Sequence, residues 1–164
     1  MDRASIEQLY DHLDFAWRQI VDVIGGAEED LFTRPAPGSG WPTLRDCLGH
    51  IIFGYDRWLS IMANREPTGI AESAISLAAI DSARLACRTE VKALLERLGD
   101  SGLQEMRAFS IDDEAMPYTF GELLAHLALH ERGHHGDVTT LFYQLGISEE
   151  MALEYRFHLA RNLI

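Results

Sequence analysis

Histidines cluster in one short segment in the last third of the chain. Four of the seven histidines lie between positions 126 and 135. His126, His130 and His134 are spaced four residues apart, and each step of four in an α-helix advances about 6 Å along the axis and about 40° around it. Neighbouring members therefore share a helix face, and two imidazoles at this spacing can reach one metal ion through bonds of about 2.0–2.1 Å. The pattern predicts a metal-binding helix face, with His135 directed elsewhere.

Two histidines alone bind a metal weakly, so a third ligand should come from another helix. His50 qualifies because it lies in the middle of a predicted helix among apolar neighbours, which directs its ring to the interior. Buried polar groups left unpaired cost about 1–3 kcal/mol each, and a shared metal ion removes much of that cost. We therefore predict one divalent metal ion on His50, His130 and His134. The alternative is that His50 is a core histidine satisfied by other groups.

The other histidines carry less specific predictions. His126 lies one turn before His130 and could line the site, support a ligand or simply pack against a neighbour. His12 and His158 are interpreted as surface or packing residues. Because imidazole ligands suit Zn, Ni, Fe and Cu alike, the residues leave the identity of the metal open.

The segment from His130 to His134 also matches the H-E-x-x-H pattern of zinc proteases, in which Glu131 would act as general base on a metal-bound water. Two features argue against this hypothesis. Gly133 weakens a helix that should be rigid, and no predicted edge strand is available to align a peptide substrate. The protease is therefore the weaker alternative, although Glu131 could still polarise water.

Four long amphipathic segments must position these histidines. Apolar residues recur at helical spacing in each of them. Thr43 and Asp46 form a shortened capping box before the second segment, and Thr119 and Glu122 form a full one before the fourth. The predicted elements are an ordered loop at 32–42, long helices at 5–24, 44–64, 75–98 and 119–145, and a shorter helix at 149–163.

Large apolar side chains on these helices are assigned to the core. Trp17 and Trp58 belong to this set, because aromatic residues at helical spacing usually pack in the interior. Gly99 is expected to end the third helix. The predicted buried side of that helix consists of Leu77, Ile80, Leu85, Val91, Leu94, Leu95 and Leu98.

The helical period is lost after the third helix. Residues 109–116, around Asp112 and Asp113, are predicted to form a short hairpin or an irregular excursion. With no repeat and no strand-rich block, the pattern predicts an all-α fold in one domain over residues 1–164. That fold is a four-helix bundle with this excursion before the fourth helix and a short C-terminal helix.

Composition opposes several classes of function. The chain has 164 residues and a formal net charge of −12, which disfavours binding to nucleic acids and to anionic membranes. No apolar stretch is long enough to span a bilayer, and no signal-peptide pattern opens the chain. The two cysteines, Cys47 and Cys87, lie inside predicted helices. We therefore expect no disulfide framework and a cytoplasmic location.

Four motifs of this chain match those of a known family. They are Leu48-Gly49-His50-Ile51, Asp56-Arg57-Trp58-Leu59, His130-x-x-x-His134-x-Gly136 and Leu145-Gly146. Through these motifs, and over nearly its whole length, the chain resembles the DinB/YfiT family of metalloenzymes. The resemblance implies a four-helix bundle with a metal ion on His50, His130 and His134. The family often has Arg-Gly-Gln after the last ligand, whereas this chain has His135-Gly136-Asp137.

Three classes of function follow from these observations. The first is a metal-dependent enzyme in which three histidines leave a coordination position open for water or a thiolate. The family resemblance implies a thiol-dependent transferase or a hydrolase that acts on a small molecule, a low-molecular-weight thiol as co-substrate, and pairing of the bundle as a homodimer. The second is a non-enzymatic module that binds a metal or a small molecule. The third is an interaction bundle without metal.

Overall fold

A computed structural model describes residues 1–38, 40–147, 151 and 153–160 of the chain. Four long helices dominate this part of the chain. A 3-10 turn at Leu31–Thr33, one short helix and one hairpin connect them, and a second short helix follows the last of them. The predicted all-α bundle is confirmed. The helices are α1 (Arg3–Gly26), α2 (Leu44–Ala63), α3 (Ile70–Ser73), α4 (Leu77–Gln104), α5 (Phe120–Gln144) and α6 (Tyr155–Ala160).

The helices that carry the histidines begin at side-chain caps. The hydroxyl of Thr43 accepts a hydrogen bond from the amide of Asp46 at 3.1 Å, which starts α2. At the start of α5, Thr119 accepts from the amide of Glu122 at 3.1 Å, and the Glu122 carboxylate accepts from the amide of Thr119 at 2.7 Å. Each cap satisfies amides that have no partner within the helix. The predicted capping box is therefore confirmed.

A two-stranded antiparallel hairpin joins α4 to α5. Its strands are β1 (Met106–Ile111) and β2 (Glu114–Thr119). Asp112 and Asp113 form the turn with φ angles of +51° and +67°, the backbone that two-residue hairpin turns require. Arg57 of α2 donates to the Asp112 carboxylate at 2.7 Å and ties the tip of the hairpin to the bundle. The predicted hairpin is confirmed and is longer than expected.

The core lies between the four long helices, where α1 and α2 each pack against both α4 and α5. Trp17 is buried as predicted, whereas Trp58 is only half-buried. Fully or almost fully buried apolar side chains include Ile6, Tyr10, Leu13, Ile20, Leu44, Leu48, Ile51, Ile52, Tyr55, Leu59, Ile80, Val91, Leu124, Leu127, Val138 and Leu141. This packing sets the relative positions of α2 and α5.

Of two predictions for the third long helix, one is confirmed and one is wrong. Gly99 adopts φ +56° and ψ −174°, which is not helical, so the first helical run of α4 ends there as predicted, and a second, short run continues to Gln104. A glycine tolerates this conformation, so the chain changes direction between the two runs. The predicted burial of Leu85 is wrong. Leu85 is 68% exposed, and its neighbour Arg84 is buried in its place at 5%. An ion pair inside the bundle explains why Arg84 is buried and Leu85 is not.

The short helix α6 packs against α1. His12 of α1 and His158 of α6 are both buried, and their ring centroids lie 5.7 Å apart. The packing interpretation of both residues is therefore correct. Residues 148–150, 152 and 161–164 of the predicted segment 149–163 and its border lie outside the described residues. Within the part of the chain that is described, no helix is long and apolar enough to cross a membrane.

Candidate metal centre

The three histidines predicted from the sequence converge at the interface between α2 and α5. Nε2 of His130 lies 3.2 Å from Nε2 of His50 and 3.2 Å from Nε2 of His134. All three rings are half-buried, and their ligand atoms lie within 4.8 Å of one another. The spacing of four residues on α5 and the packing of α2 against it therefore bring the three nitrogens to one point.

Asp137 fixes the orientation of one of these rings. Its carboxylate accepts a hydrogen bond from Nδ1 of His134 at 2.8 Å and a second from the indole nitrogen of Trp41 at 2.9 Å. With its proton on Nδ1, neutral His134 presents a bare lone pair at Nε2. At metal sites, histidine ligands are commonly oriented by a carboxylate that accepts a hydrogen bond from the ring nitrogen not facing the metal. This role of Asp137 was not predicted from the sequence, although its spacing of three residues from His134 was a usable signal.

Gly54 makes room for the central ring of the cluster. A β-carbon at this position would lie 2.7 Å from Cε1 and 3.1 Å from Nδ1 of His130, which is closer than side chains approach one another. The missing side chain lets the His130 ring rest on the backbone of α2 and reach His50. This contact, too, was not predicted from the sequence, because it joins residues far apart in the chain.

Aromatic side chains surround the three rings. The Trp41 ring centroid lies 5.0 Å from that of His50 and 5.3 Å from that of His134. Phe53 stacks on His50 at 6.1 Å while remaining 44% exposed. These side chains line the cluster with apolar surface and leave part of it open to solvent.

His126 stands outside the group of three. It is exposed, its ring meets Trp58 edge-on at 4.9 Å, and its centroid lies 6.4 Å from that of His130. Of the roles considered for this residue, packing beside the site matches its position.

The local environment favours the neutral form of two rings of the cluster, His130 and His50. Burial, together with the neighbouring His134 and His50, lowers the pKa of His130 to about 4. Burial and the neighbouring His134 also lower the pKa of His50. Since only a neutral imidazole has a free lone pair, both rings are ready to bind a cation at neutral pH.

Glu131, the acidic residue of the H-E-x-x-H pattern, is buried on the core side of α5. Its carboxylate accepts a hydrogen bond from Tyr55 and pairs with Arg84 at 2.8 Å and with Nε2 of His135 at 3.2 Å. Burial favours the protonated acid, but the Arg84 charge and these hydrogen bonds outweigh it and hold the pKa of Glu131 below its usual range. A fully buried and paired carboxylate is not placed to activate water, so the geometry offers the protease hypothesis no support.

A second group of possible ligand atoms shares His134. It combines His134 and Asp137 with the thiol of Cys47, all within 4.8 Å. Burial raises the pKa of the Cys47 thiol to about 12, and the thiol faces the His134 carbonyl at 3.9 Å. A protonated thiol is a poor ligand, and Asp137 already bonds His134 and Trp41. The three-histidine group is therefore the stronger candidate.

Comparison with known proteins bears on the family to which the chain belongs. A search of curated proteins found no match. The sequence model of the DinB family matches residues 1–161, which is nearly the whole chain and includes all three histidines. The chain therefore belongs to the DinB family.

Proposed function

We propose that His50, His130 and His134 bind one divalent metal ion and that the protein is a metal-dependent enzyme acting on a small molecule. The observation that carries the proposal is the spacing of the three Nε2 atoms. Ligand bonds of about 2.0–2.1 Å at tetrahedral angles place neighbouring nitrogens about 3.3 Å apart. In the cluster, Nε2 of His130 lies 3.2 Å from Nε2 of His50 and 3.2 Å from Nε2 of His134, which is close to this spacing.

Hydrogen bonds among the rings explain these distances less well. His134 donates through Nδ1 to Asp137, so its Nε2 can only accept, and His130 must then donate from Nε2. The same nitrogen of His130 would have no lone pair left to accept from His50. A cation at the centre satisfies all three nitrogens at once.

The residues around the cluster support a catalytic rather than a purely structural role. The group contains three ligands and, among the described residues, no fourth Cys, Asp, Glu or His within the same distance. Structural zinc sites hold four protein ligands, whereas catalytic ones keep a position open. A metal bound there lowers the pKa of a water or thiol and supplies a nucleophile near neutral pH. Asp137 orients His134, while Trp41 and Phe53 limit access of bulk water.

For the reaction class we propose a transferase that uses a low-molecular-weight thiol, or a hydrolase. Both classes use a nucleophile generated at an open metal position, and thiol-dependent reactions are what the DinB/YfiT resemblance implies. The metal is Zn, Ni or Fe, since three imidazoles suit all of them.

The metal content of tag-free protein tests the site. After reconstitution with Zn²⁺ or Ni²⁺ and removal of excess metal, we expect about one equivalent in the wild type and a large loss in His134→Ala and His50→Ala. His126→Ala is the matched control, because it removes a histidine from the same helix outside the cluster. Less than half an equivalent in the wild type would contradict the proposal.

An activity panel tests the enzymatic part separately. Metal-loaded protein would be assayed for transfer of small thiols to electrophiles and for ester and amide hydrolysis, with His134→Ala as background. Turnover that depends on metal and is lost in the variant supports an enzyme. A full complement of metal, a collapse of the fold on its removal and silence across the panel would indicate a non-enzymatic metal-binding module instead.

A further inference from the structure

Helix α5 carries a second set of polar side chains, turned by about 100° around the helix axis from the metal cluster. Glu131 and His135 each follow a member of the cluster by one residue, and both are fully buried. Glu131 pairs with Arg84 of α4, which also pairs with Asp14 of α1 at 2.8 Å. Tyr55 of α2 donates to the other oxygen of Glu131. One polar cluster thus joins the four long helices.

We propose that Tyr55, Arg84 and Glu131 are positioning residues that fix the rotation of α5 against α2 and so hold His130 and His134 at ligand distance from His50. The inference rests on the proposed metal site. Tyr55 and His50 lie on the same helix, as do Glu131 and the other two histidines. The bond between Tyr55 and Glu131 therefore joins the same two helices that the metal would bridge.

The required precision explains why a directional contact is needed. Side-chain atoms lie about 5–6 Å from the axis of their helix, so a rotation of about 10° moves them by about 1 Å. Metal–ligand distances tolerate only about 0.2 Å. Apolar packing holds the helices together without directional bonds, so it defines the rotation of α5 less sharply than a directional contact does. A hydrogen-bonded carboxylate permits less rotation, because its bonds weaken steeply with misalignment.

Burial makes these contacts obligatory. Arg84 is 5% exposed, and Glu131 and Tyr55 are not exposed at all. An arginine or carboxylate at such a position is strongly destabilised without its partner, so α5 cannot turn without leaving a charge unpaired. Glu131 therefore acts through the placement of its neighbour His130 and has no contact with the reacting atoms.

Tyr55→Phe tests the proposal, because it removes one hydroxyl and keeps the ring. Affinity for Zn²⁺ would be measured by competition with a chelating dye, and the geometry of the site by the absorption spectrum of bound Co²⁺. We expect Zn²⁺ affinity to fall at least fivefold and the Co²⁺ bands to shift. Circular dichroism at the assay temperature verifies that the protein is folded.

Asp56→Asn is the matched control. Asp56 is the next residue of α2 and is also buried, but its carboxylate accepts from Thr68 and Gly69 in the following loop and not from α5. We expect it to lower the melting temperature and to change Zn²⁺ affinity by less than twofold. Equal losses of affinity in both variants would indicate a general effect of stability and overturn the proposal.

Arg84→Lys provides a second variant if Tyr55→Phe does not fold. It keeps the charge and loses the planar fork that bonds Glu131 and Asp14 together. The same loss of affinity is expected. If the wild type binds Zn²⁺ and the folded variant binds it with the same affinity and the same Co²⁺ spectrum, the positioning role is overturned and the metal site is not. A wild type that binds neither Zn²⁺ nor Co²⁺ overturns the metal site itself.

Discussion

The imidazole of His130 lies directly against the backbone of Gly54, so that a β-carbon at position 54 would stand 2.7 Å from Cε1 of the ring. Outside the local backbone of α2, the three heavy atoms nearest to that β-carbon all belong to the His130 ring. A methyl group there must therefore displace this ring. Gly54 thus determines how closely the central histidine approaches His50.

Gly54→Ala should separate stability from metal binding. Alanine favours an α-helix over glycine by about 1 kcal/mol, which offsets the cost of moving one imidazole. We expect a change in the free energy of unfolding of the metal-free protein below about 1 kcal/mol and a loss of Zn²⁺ affinity of about tenfold or more. Chemical denaturation and competitive metal titration measure the two effects.

Gly49→Ala is the control for this prediction. Gly49 lies in α2 beside His50, and a β-carbon there would have no neighbour within 4 Å. The variant gains helix propensity without touching a histidine, so its metal affinity should equal that of the wild type. Unchanged affinity in Gly54→Ala would show that the ring can move without consequence.

Asp137→Ala should weaken metal binding without disturbing the fold. Removing a carboxylate that orients a histidine ligand typically costs about 10-fold to 100-fold in metal affinity. The matched control is Asp81→Ala, since Asp81 accepts a hydrogen bond from Trp17 at 2.8 Å as Asp137 does from Trp41, but among the described residues it bonds none of the three histidines of the cluster. We expect a loss of affinity by calorimetry in Asp137→Ala only. Equal affinities in the two variants would contradict a role for Asp137.

Features that depend on helix periodicity could be predicted from the sequence. The spacing of His130 and His134 places both rings on one face of α5, whatever that face contacts. Capping patterns predicted the starts of α2 and α5 because they involve residues three apart. The loss of the helical period before Thr119 indicated the hairpin, because this signal also comes from residues close together in the chain.

Features that depend on contacts between distant residues could not be predicted. Burial of Arg84 in place of Leu85 is favourable only because Glu131 lies opposite on another helix. The same pairing directs Glu131 away from the metal cluster. The H-E-x-x-H motif therefore does not identify a general base in this protein. Gly54 likewise gave no local signal, since its neighbour His130 is 76 positions away.

Asp113→Gly should stabilise the hairpin. Asp113 has a φ of +67°, a conformation that glycine adopts without the steric cost that other residues incur. Asp-Gly is also a preferred pair for such turns. We expect the free energy of unfolding to rise by about 0.5–1 kcal/mol in urea denaturation. Asp112→Gly should gain less, because it also removes the bond from Arg57, and an equal or larger gain there would contradict this account.

His12→Leu should stabilise the protein at neutral pH. Among the described residues, neither ring nitrogen of His12 has a hydrogen-bond partner, and the side chain is 4% exposed. An unpaired buried polar group costs about 1–3 kcal/mol, and leucine has a similar volume without that cost. Urea denaturation of metal-free protein at pH 7 should show a gain of this size. A loss of stability would mean that the ring contacts with Tyr155 and His158 outweigh the unpaired nitrogens.

The same substitution should flatten the dependence of stability on pH. Burial lowers the pKa of His12 to about 4, with His158, Arg132 and His135 adding to the effect. In the unfolded chain the pKa is about 6.5, so between pH 6.5 and pH 4 the unfolded state binds a proton that the folded state does not. Stability is therefore complete above pH 6.5 and falls as the pH drops through this window. Between pH 7 and pH 5 the wild type should lose about 1–2 kcal/mol more than His12→Leu, because the contribution of His130 is common to both. Parallel stability curves for the two proteins would show that the pKa of His12 is the same in the folded and unfolded states.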